Sequence, residues 1–185
     1  MLTELSLNIL DVANNSIRAG ASLIIIEVAI HNDEDTLTIK IIDNGHGMTK
    51  EQLTQVEDPF FTTRSTRDVG LGIPFLKQAA KITGGCFTIE SIPNEHTSVY
   101  ASFCLSHIDR MPLGDLSSTI YSLVMANPKI DFSFVFQCDD KEFTLDTRRF
   151  REILGDVPFN TPTVSEFIRD YLIENYNETT GGYSF

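Results

Sequence analysis

A two-layer α/β sandwich of the α+β class, a mixed sheet with helices over one face, is the fold this sequence predicts. Three observations carry the prediction. Apolar residues recur with helical period near the N-terminus, and they alternate with period two in the segments that follow. The elements then come in the order helix, strand, strand, helix, loop, helix, strand, strand. A chain of 185 residues is long enough for one sizeable core, or for one domain with an appended module.

The elements can be justified in order. Leu5, Ile9 and Val12, with Leu10, Ala13 and Ile17, predict a helix over about residues 3–18. "RAGAS" stops it, Gly20 being suited to a left-handed cap. "SLIIIEVAIH" and "TLTIKIID", joined by the turn "NDED", read as two paired strands. Thr49 and Gln52 stand three apart, as a capping box requires, and open a short helix. "DPFFTTRSTRDVGLG" is long for a loop, and loops of that length are usually functional or mobile. "IPFLKQAAKITGG" is a helix with Pro74 in its first turn and a glycine pair at its end. "CFTIESI" and "TSVYASFCL" are two further alternating strands.

Near "SHIDRMPLGD" the pattern breaks. A helix, a hairpin ("IDFSFVFQCDD" and "KEFTLDTR"), a short helix and a last helix ("TVSEFIRDYLIENY") follow, and the tail "NETTGGYSF" reads as loose. The expected division is therefore residues 1–105 and a small α+β extension at 106–185. The extension carries no chemical motif, which leaves packing, dimerisation or holding a partner as its uses.

The net charge of -12 argues against a nucleic-acid surface, which wants clustered Lys and Arg. Cys86, Cys104 and Cys138 are odd in number, far apart and without a CxxC pair, so neither a disulfide framework nor a zinc site is expected. The longest apolar run, "LIII", is too short to span a bilayer. The expectation is a cytoplasmic protein with no membrane attachment.

Three stretches point to chemistry. In "DVANNSIRAGAS" an acid, Asp11, and an amide, Asn15, share one helix face at four-residue spacing, as do Glu4 and Asn8 one register earlier. Such a stripe is either a solvated face or a metal-nucleotide site, and spacing alone does not choose between the registers. "DNGHGM" ends a strand. Asp-Asn-Gly is a common turn, but a second glycine suits a backbone that passes close to a ligand, and Asp43 can accept a hydrogen bond from an amino group. "VGLGI" opens a helix whose free N–H groups favour an anion. Between the glycine pairs lie Thr62, Thr63, Arg64 and Arg67, which suit phosphate oxygens as well as they suit a solvated surface.

In order and spacing these segments together resemble the GHKL ATPases, the family of histidine kinases, DNA gyrase B, the heat-shock chaperone ATPases and MutL, over roughly residues 1–105. "DPFFTTR", then "GLGI" and "TGG", is most similar to histidine kinases, whereas "AGAS" before a strand is more like MutL. The resemblance implies the Bergerat ATP-binding fold, with ATP and Mg²⁺ as cofactors. It selects Asn15, just before the turn into the strand, as the Mg²⁺ ligand, and sets Asp11 where many members carry a water-activating glutamate. Asp43 would bind the adenine amino group and Thr97 would reinforce that contact. Gly45, Gly47 and Met48 would shape the base pocket. Gly70, Leu71 and Gly72 would receive phosphate, under a lid running from about Thr49 to Val69.

Departures from the family pattern are equally legible. Asp11 is one methylene shorter than glutamate, and His96 stands where a glycine usually precedes the threonine. None of His31, His46, His96 and His107 lies in an H-box pattern, and no dimerisation helix pair precedes the first helix. The resemblance thus implies γ-phosphate transfer to a partner protein. The alternatives are a free-standing ATPase switch with Asp11 as general base, and a nucleotide sensor without turnover. A homodimer is compatible with each.

Overall fold

The computed structural model describes residues 4–56, 72–155 and 157–185. The elements in chain order are α1 (Leu5–Arg18), β1 (Leu23–His31), β2 (Thr36–Asp43), α2 (Lys50–Val56), α3 (Gly72–Ile82), β3 (Phe87–Ile92), β4 (His96–Cys104), α4 (Leu116–Ala126), β5 (Asp131–Cys138), β6 (Lys141–Asp146), α5 (Thr147–Leu154) and α6 (Pro162–Thr180). Among the described residues the strands form one six-stranded sheet in the order β3-β4-β2-β1-β5-β6. Every neighbouring pair is antiparallel except β1 with β5, which is parallel.

Period-two alternation makes the sheet two-faced. Ile24, Ile26, Val28 and Ile30 of β1, Leu37, Ile39 and Ile41 of β2, and Phe132, Phe134 and Phe136 of β5 are buried under helices. Their neighbours Ile25, Glu27, Thr38 and Lys40 stand half-buried on the other face. There Glu27 and Lys40, cross-strand partners, form an ion pair at 3.8 Å. The helical layer answers with Leu5, Ile9 and Val12 of α1, Leu76 and Ala80 of α3, Leu116, Ile120 and Leu123 of α4, and Ile168 and Leu172 of α6. This is the mixed sheet with helices on one face that the alternation predicts. The capping box is also present. The Thr49 N–H donates to Gln52 Oε1 at 2.8 Å, and the Gln52 N–H to Thr49 Oγ1 at 3.3 Å.

Two features go beyond the sequence reading. The hairpin of the last third joins the same sheet, β5 running beside β1 from Leu23↔Asp131 to Ile30↔Cys138. The tail is not loose. Helix α6 continues through Asn177–Thr180, Thr180 Oγ1 donates to the Tyr176 carbonyl at 2.9 Å, and Gly181 supplies a left-handed cap. Phe185 then packs against the core, and its carbonyl accepts from the Leu113 N–H at 2.7 Å. Burial of Thr179 and Thr180, with the partly buried Phe185 packed on the core, overrides the polar composition that suggested disorder.

The sheet end carrying the β1–β2 and β5–β6 turns is stapled by two aspartates in left-handed conformation, Asp35 (φ 50) and Asp139 (φ 51). Asp35 accepts from the Cys104 thiol at 3.0 Å and from the amide and hydroxyl of Ser106, each at 2.8 Å. Asp139 accepts from the side-chain and backbone N–H groups of Asn32, both at 2.8 Å. At the other end Asp146 accepts from Arg148. The Cys104 thiol and then Ser106 hold Asp35 below the usual carboxylate range, Asn32 does the same for Asp139, and Arg148 for Asp146. Folded pKa values below the unfolded ones mean that this stabilisation is complete above the unfolded value. It is lost as pH falls through the lower folded values. Urea midpoints should therefore hold level from about pH 7 to 5 and fall below about pH 4. Asp35→Asn should flatten that fall. An even decline across the range, the same in both proteins, would contradict it.

Candidate functional site

The two polar registers on α1 have different fates. Asn8 is fully buried, its Nδ2 donating to the Glu4 carbonyl at 3.1 Å, and its Oδ1 has no hydrogen-bond partner among the described residues. Glu4 is tied to Ser6 and lies against Gly114, in the connection leading to α4. That pair belongs to the packing of the helix start. Asp11 and Asn15 are half-buried one turn apart. The start of α3 lies on Asp11 so closely that a Cβ on Gly72 would stand 2.7 Å from the Asp11 Cβ and 3.4 Å from its Oδ2. Asn15 Oδ1 accepts a long contact from Arg18, at 3.4 Å.

One residue beyond Asn15, Ser16 turns to the sheet. Its hydroxyl donates to Asp43 Oδ2 at 2.6 Å, and the Gly45 N–H donates to Asp43 Oδ1 at 2.9 Å. Asp43 is 6% exposed at the end of β2. A buried carboxylate needs such partners, because unpaired burial of a charge is costly. Its two oxygens keep further lone pairs for an incoming donor. Gly45 is required here: a Cβ would stand 2.8 Å from the Ala19 Cβ and 2.9 Å from Asp43 Oδ1. Gly47 has φ 62, and a Cβ would collide with the Ile92 carbonyl. The backbone between them is held by His46 N–H to the Ala19 carbonyl at 2.9 Å and Asn94 N–H to the His46 carbonyl at 2.7 Å.

Thr97 is the direct cross-strand partner of Asp43 and is buried. Its hydroxyl lies 2.9 Å from that of Ser91, which also accepts from the Met48 N–H at 2.8 Å and donates to the His96 carbonyl at 3.0 Å. His96 takes the place of the expected glycine without strain, because the left-handed residue of this turn is Asn94 (φ 61) and His96 already pairs with Ile92 in the ladder. His46 is exposed, its Nδ1 donating to the Gly47 carbonyl at 2.7 Å.

The structure thus brings Asp11 against Gly72, and Asp43 against Gly45 and its ladder partner Thr97, while Asn15 lies one turn from Asp11 on α1, Gly47 lies against Ile92 and Met48 is held by Ser91. Thr62, Thr63, Arg64, Arg67, Gly70 and Leu71 lie outside the described residues, as does the lid from 57 on. Sequence reasoning missed Ser16, Ser91 and Asn44. Asn44 Oδ1 accepts from the N–H groups of Ser22 and Leu23, both at 2.9 Å, and locks the α1–β1 turn. The signal for the serines was present. Ser16 interrupts the ridge of Leu5, Ile9 and Val12, and Ser91 follows Phe87 and Ile89 on the covered face of β3.

The Asn15 amide oxygen fits a hard cation brought in on a phosphate chain, with the other oxygen ligands supplied by phosphate and water. Among the described residues no group of three or more His, Cys, Asp or Glu converges as a metal cage. No described helix is long and apolar enough to cross a membrane.

A candidate sensor protein of Shewanella frigidimarina is 30% identical over 109 residues, 58% of this chain and 16% of that protein. Sensor protein KdpD of Clostridium acetobutylicum is 29% identical over 90 residues, 46% of this chain and 10% of that protein. The chain therefore spans a small fraction of the length of these relatives. In fold it is similar to the N-terminal domain of a DNA repair protein, with TM-score 0.56, 16% identity, and coverage of 78% of this chain and 53% of that one. The family model described as histidine kinase-, DNA gyrase B- and HSP90-like ATPase matches residues 1–107, more than half of the chain, and includes every described residue of the site. By that match the chain belongs to this ATPase family, whose histidine-kinase-like nucleotide domain supports ATP binding.

Proposed function

We propose that the chain binds Mg-ATP between α1, the end of β2 and α3, and that the γ-phosphate passes to a partner protein. The observation that carries the binding mode is the buried Asp43 carboxylate, oriented by Ser16 and Gly45 beside Thr97. In this reading Asp43 and Thr97 hold the adenine edge, and Asn15 holds Mg²⁺ through its amide oxygen. Thr62, Thr63, Arg64, Arg67, Gly70, Leu71 and Gly72 receive the phosphates and stabilise charge on the transferred group. The histidine-kinase-like sequence of the lid and the likeness to sensor proteins support a protein acceptor. Residues 106–185 are then an extension for holding that partner or a second copy, in a cytoplasmic setting.

A second reading rests on Asp11. Its carboxylate lies against the first residue of α3, about one helical turn from Asn15, and this supports a role as general base for water. The chain would then be an ATPase switch. A sensor without turnover shares the binding mode and differs in lacking phosphate release.

Asp43→Ala removes a hydrogen bond to a charged group, so ATP affinity by calorimetry should fall about ten- to a hundred-fold. Unchanged affinity would displace the base from this pocket. Asn15→Ala should abolish the magnesium-dependent part of ATP affinity and leave metal-free ADP binding largely intact. Equal loss of both would remove Asn15 from the metal. Phosphate release by wild type and Asp11→Asn separates the two main readings. A collapse in the variant marks an ATPase with Asp11 as its base. ATP binding without release, joined to label appearing on a partner protein, marks a kinase.

A further inference from the structure

The Ser91 hydroxyl stands where the first glycine box, β3 and β4 meet, and its hydrogen-bond arithmetic is fully determined. A hydroxyl has one proton and two lone pairs. The Met48 N–H can only donate and the His96 carbonyl can only accept, at 2.8 and 3.0 Å. With all three contacts made, Ser91 gives its proton to His96, takes one from Met48, and must take the third from Thr97 at 2.9 Å. The Thr97 proton is thereby committed to Ser91. What Thr97 presents to the pocket is a pair of lone pairs, directly across the ladder from a carboxylate that also only accepts.

We infer that Ser91 is a positioning and specificity-determining residue for the base. By holding the Thr97 hydroxyl as an acceptor beside Asp43, it makes the pocket select a purine edge that carries an amino group over one that carries a carbonyl. An amino group has two N–H donors for two acceptors. A carbonyl at the same place meets like with like, and a buried acceptor without a donor is costly. The inference rests on the proposed nucleotide site, which fixes the base beside Asp43. It adds a residue that touches no ligand and acts through Thr97. Ser91 has a second consequence: by accepting from Met48 it fixes the exit of the glycine box against β3, so base selection and box geometry share one hydroxyl.

The test compares ATP with inosine triphosphate, which carries a carbonyl in place of the amino group and an N1–H in place of the acceptor N1, so that the atom beside Asp43 and Thr97 changes from donor to acceptor. Dissociation constants would be measured by calorimetry for wild type, Ser91→Ala and Ser91→Thr. Wild type should prefer ATP. In Ser91→Ala the freed Thr97 proton can turn to the ligand, and the preference should shrink by about five- to tenfold. Ser91→Thr, which keeps the hydroxyl, should restore it. A Ser91→Ala protein that weakens both nucleotides by the same factor overturns the inference and reduces Ser91 to a structural residue. Should Ser91→Ala not fold, Ser91→Cys keeps the shape while weakening the bonds. It should shift the ratio in the same direction by a smaller factor, and an unchanged ratio overturns the inference. Wild type that binds ATP but does not distinguish the two nucleotides overturns this inference alone. Wild type that binds neither overturns the nucleotide site and this inference with it.

Discussion

A single buried carboxylate sets the terms for this end of the molecule. Asp43 sits at the last position of β2 with its side chain toward the helical layer, where the strand alternation would otherwise place another aliphatic residue after Leu37, Ile39 and Ile41. Leaving an ionised acid there without partners would cost several kcal/mol. The chain answers with Ser16 on one oxygen and the Gly45 amide on the other. Each answer constrains its surroundings. Ser16 fixes the rotation of α1 about its own axis, which leaves Asp11 on the side where the start of α3 lies. The Gly45 amide can reach back only because residue 45 has no Cβ to strike Ala19. The glycine box and the polar stripe on α1 are therefore consequences of one electrostatic requirement.

The same requirement reaches into the last third of the chain. Ser22, in the turn after α1, is held by Asn44 from the glycine box, while its carbonyl accepts from the Asp131 N–H at 2.9 Å, at the start of β5. The Asp131 carboxylate takes Arg151 at 2.8 Å and Thr147 at 3.3 Å, and Arg151 also donates to the Pro128 carbonyl and covers the Phe159 ring. An unbroken run of hydrogen bonds thus joins Asn44 to α5. With β5 in parallel register beside β1, residues 106–185 cannot swing free of the Asp43 end without breaking a ladder in the middle of the sheet. Any signal passing between the site and this region would travel through rigid, bonded elements.

What could be read from the sequence was local. Alternation over "TLTIKIID" places the covered face of β2, the Thr49–Gln52 pair places a helix start, and glycines mark the turns, because each depends on residues a few positions apart. The parallel pairing of β1 with β5 depends on residues more than a hundred positions apart, and no local pattern encodes it. Ser16 and Ser91 fall between these cases. Each occupies an apolar register, which is visible, but a defining partner is distant: Asp43 for the one, Met48 for the other. A polar residue in an apolar register says that a buried bond exists without naming the other end. The tail failed for the opposite reason. "NETTGGYSF" has a polar, glycine-bearing composition, and it is the continuation of α6 through Thr180 and the packing of Phe185 against the core that hold it.

The short acid at position 11 is best understood together with Gly72. Reach from a helix backbone to a site depends on side-chain length and on how closely the facing element approaches. With glycine at the first position of α3, its backbone comes so near that any Cβ would have to share the space of the Asp11 Cβ. A longer acid projecting from the same Cα would have to bend around that backbone, whereas aspartate places its carboxylate alongside the helix start without a further torsion. The distance between α1 and α3, set by Gly72, and the length of the acid are one variable seen from two sides. Losing a methylene at residue 11 is therefore no argument in itself against Asp11 as a base. The spacing that would have to change for it to miss is held by the Gly72 backbone lying against the Asp11 side chain.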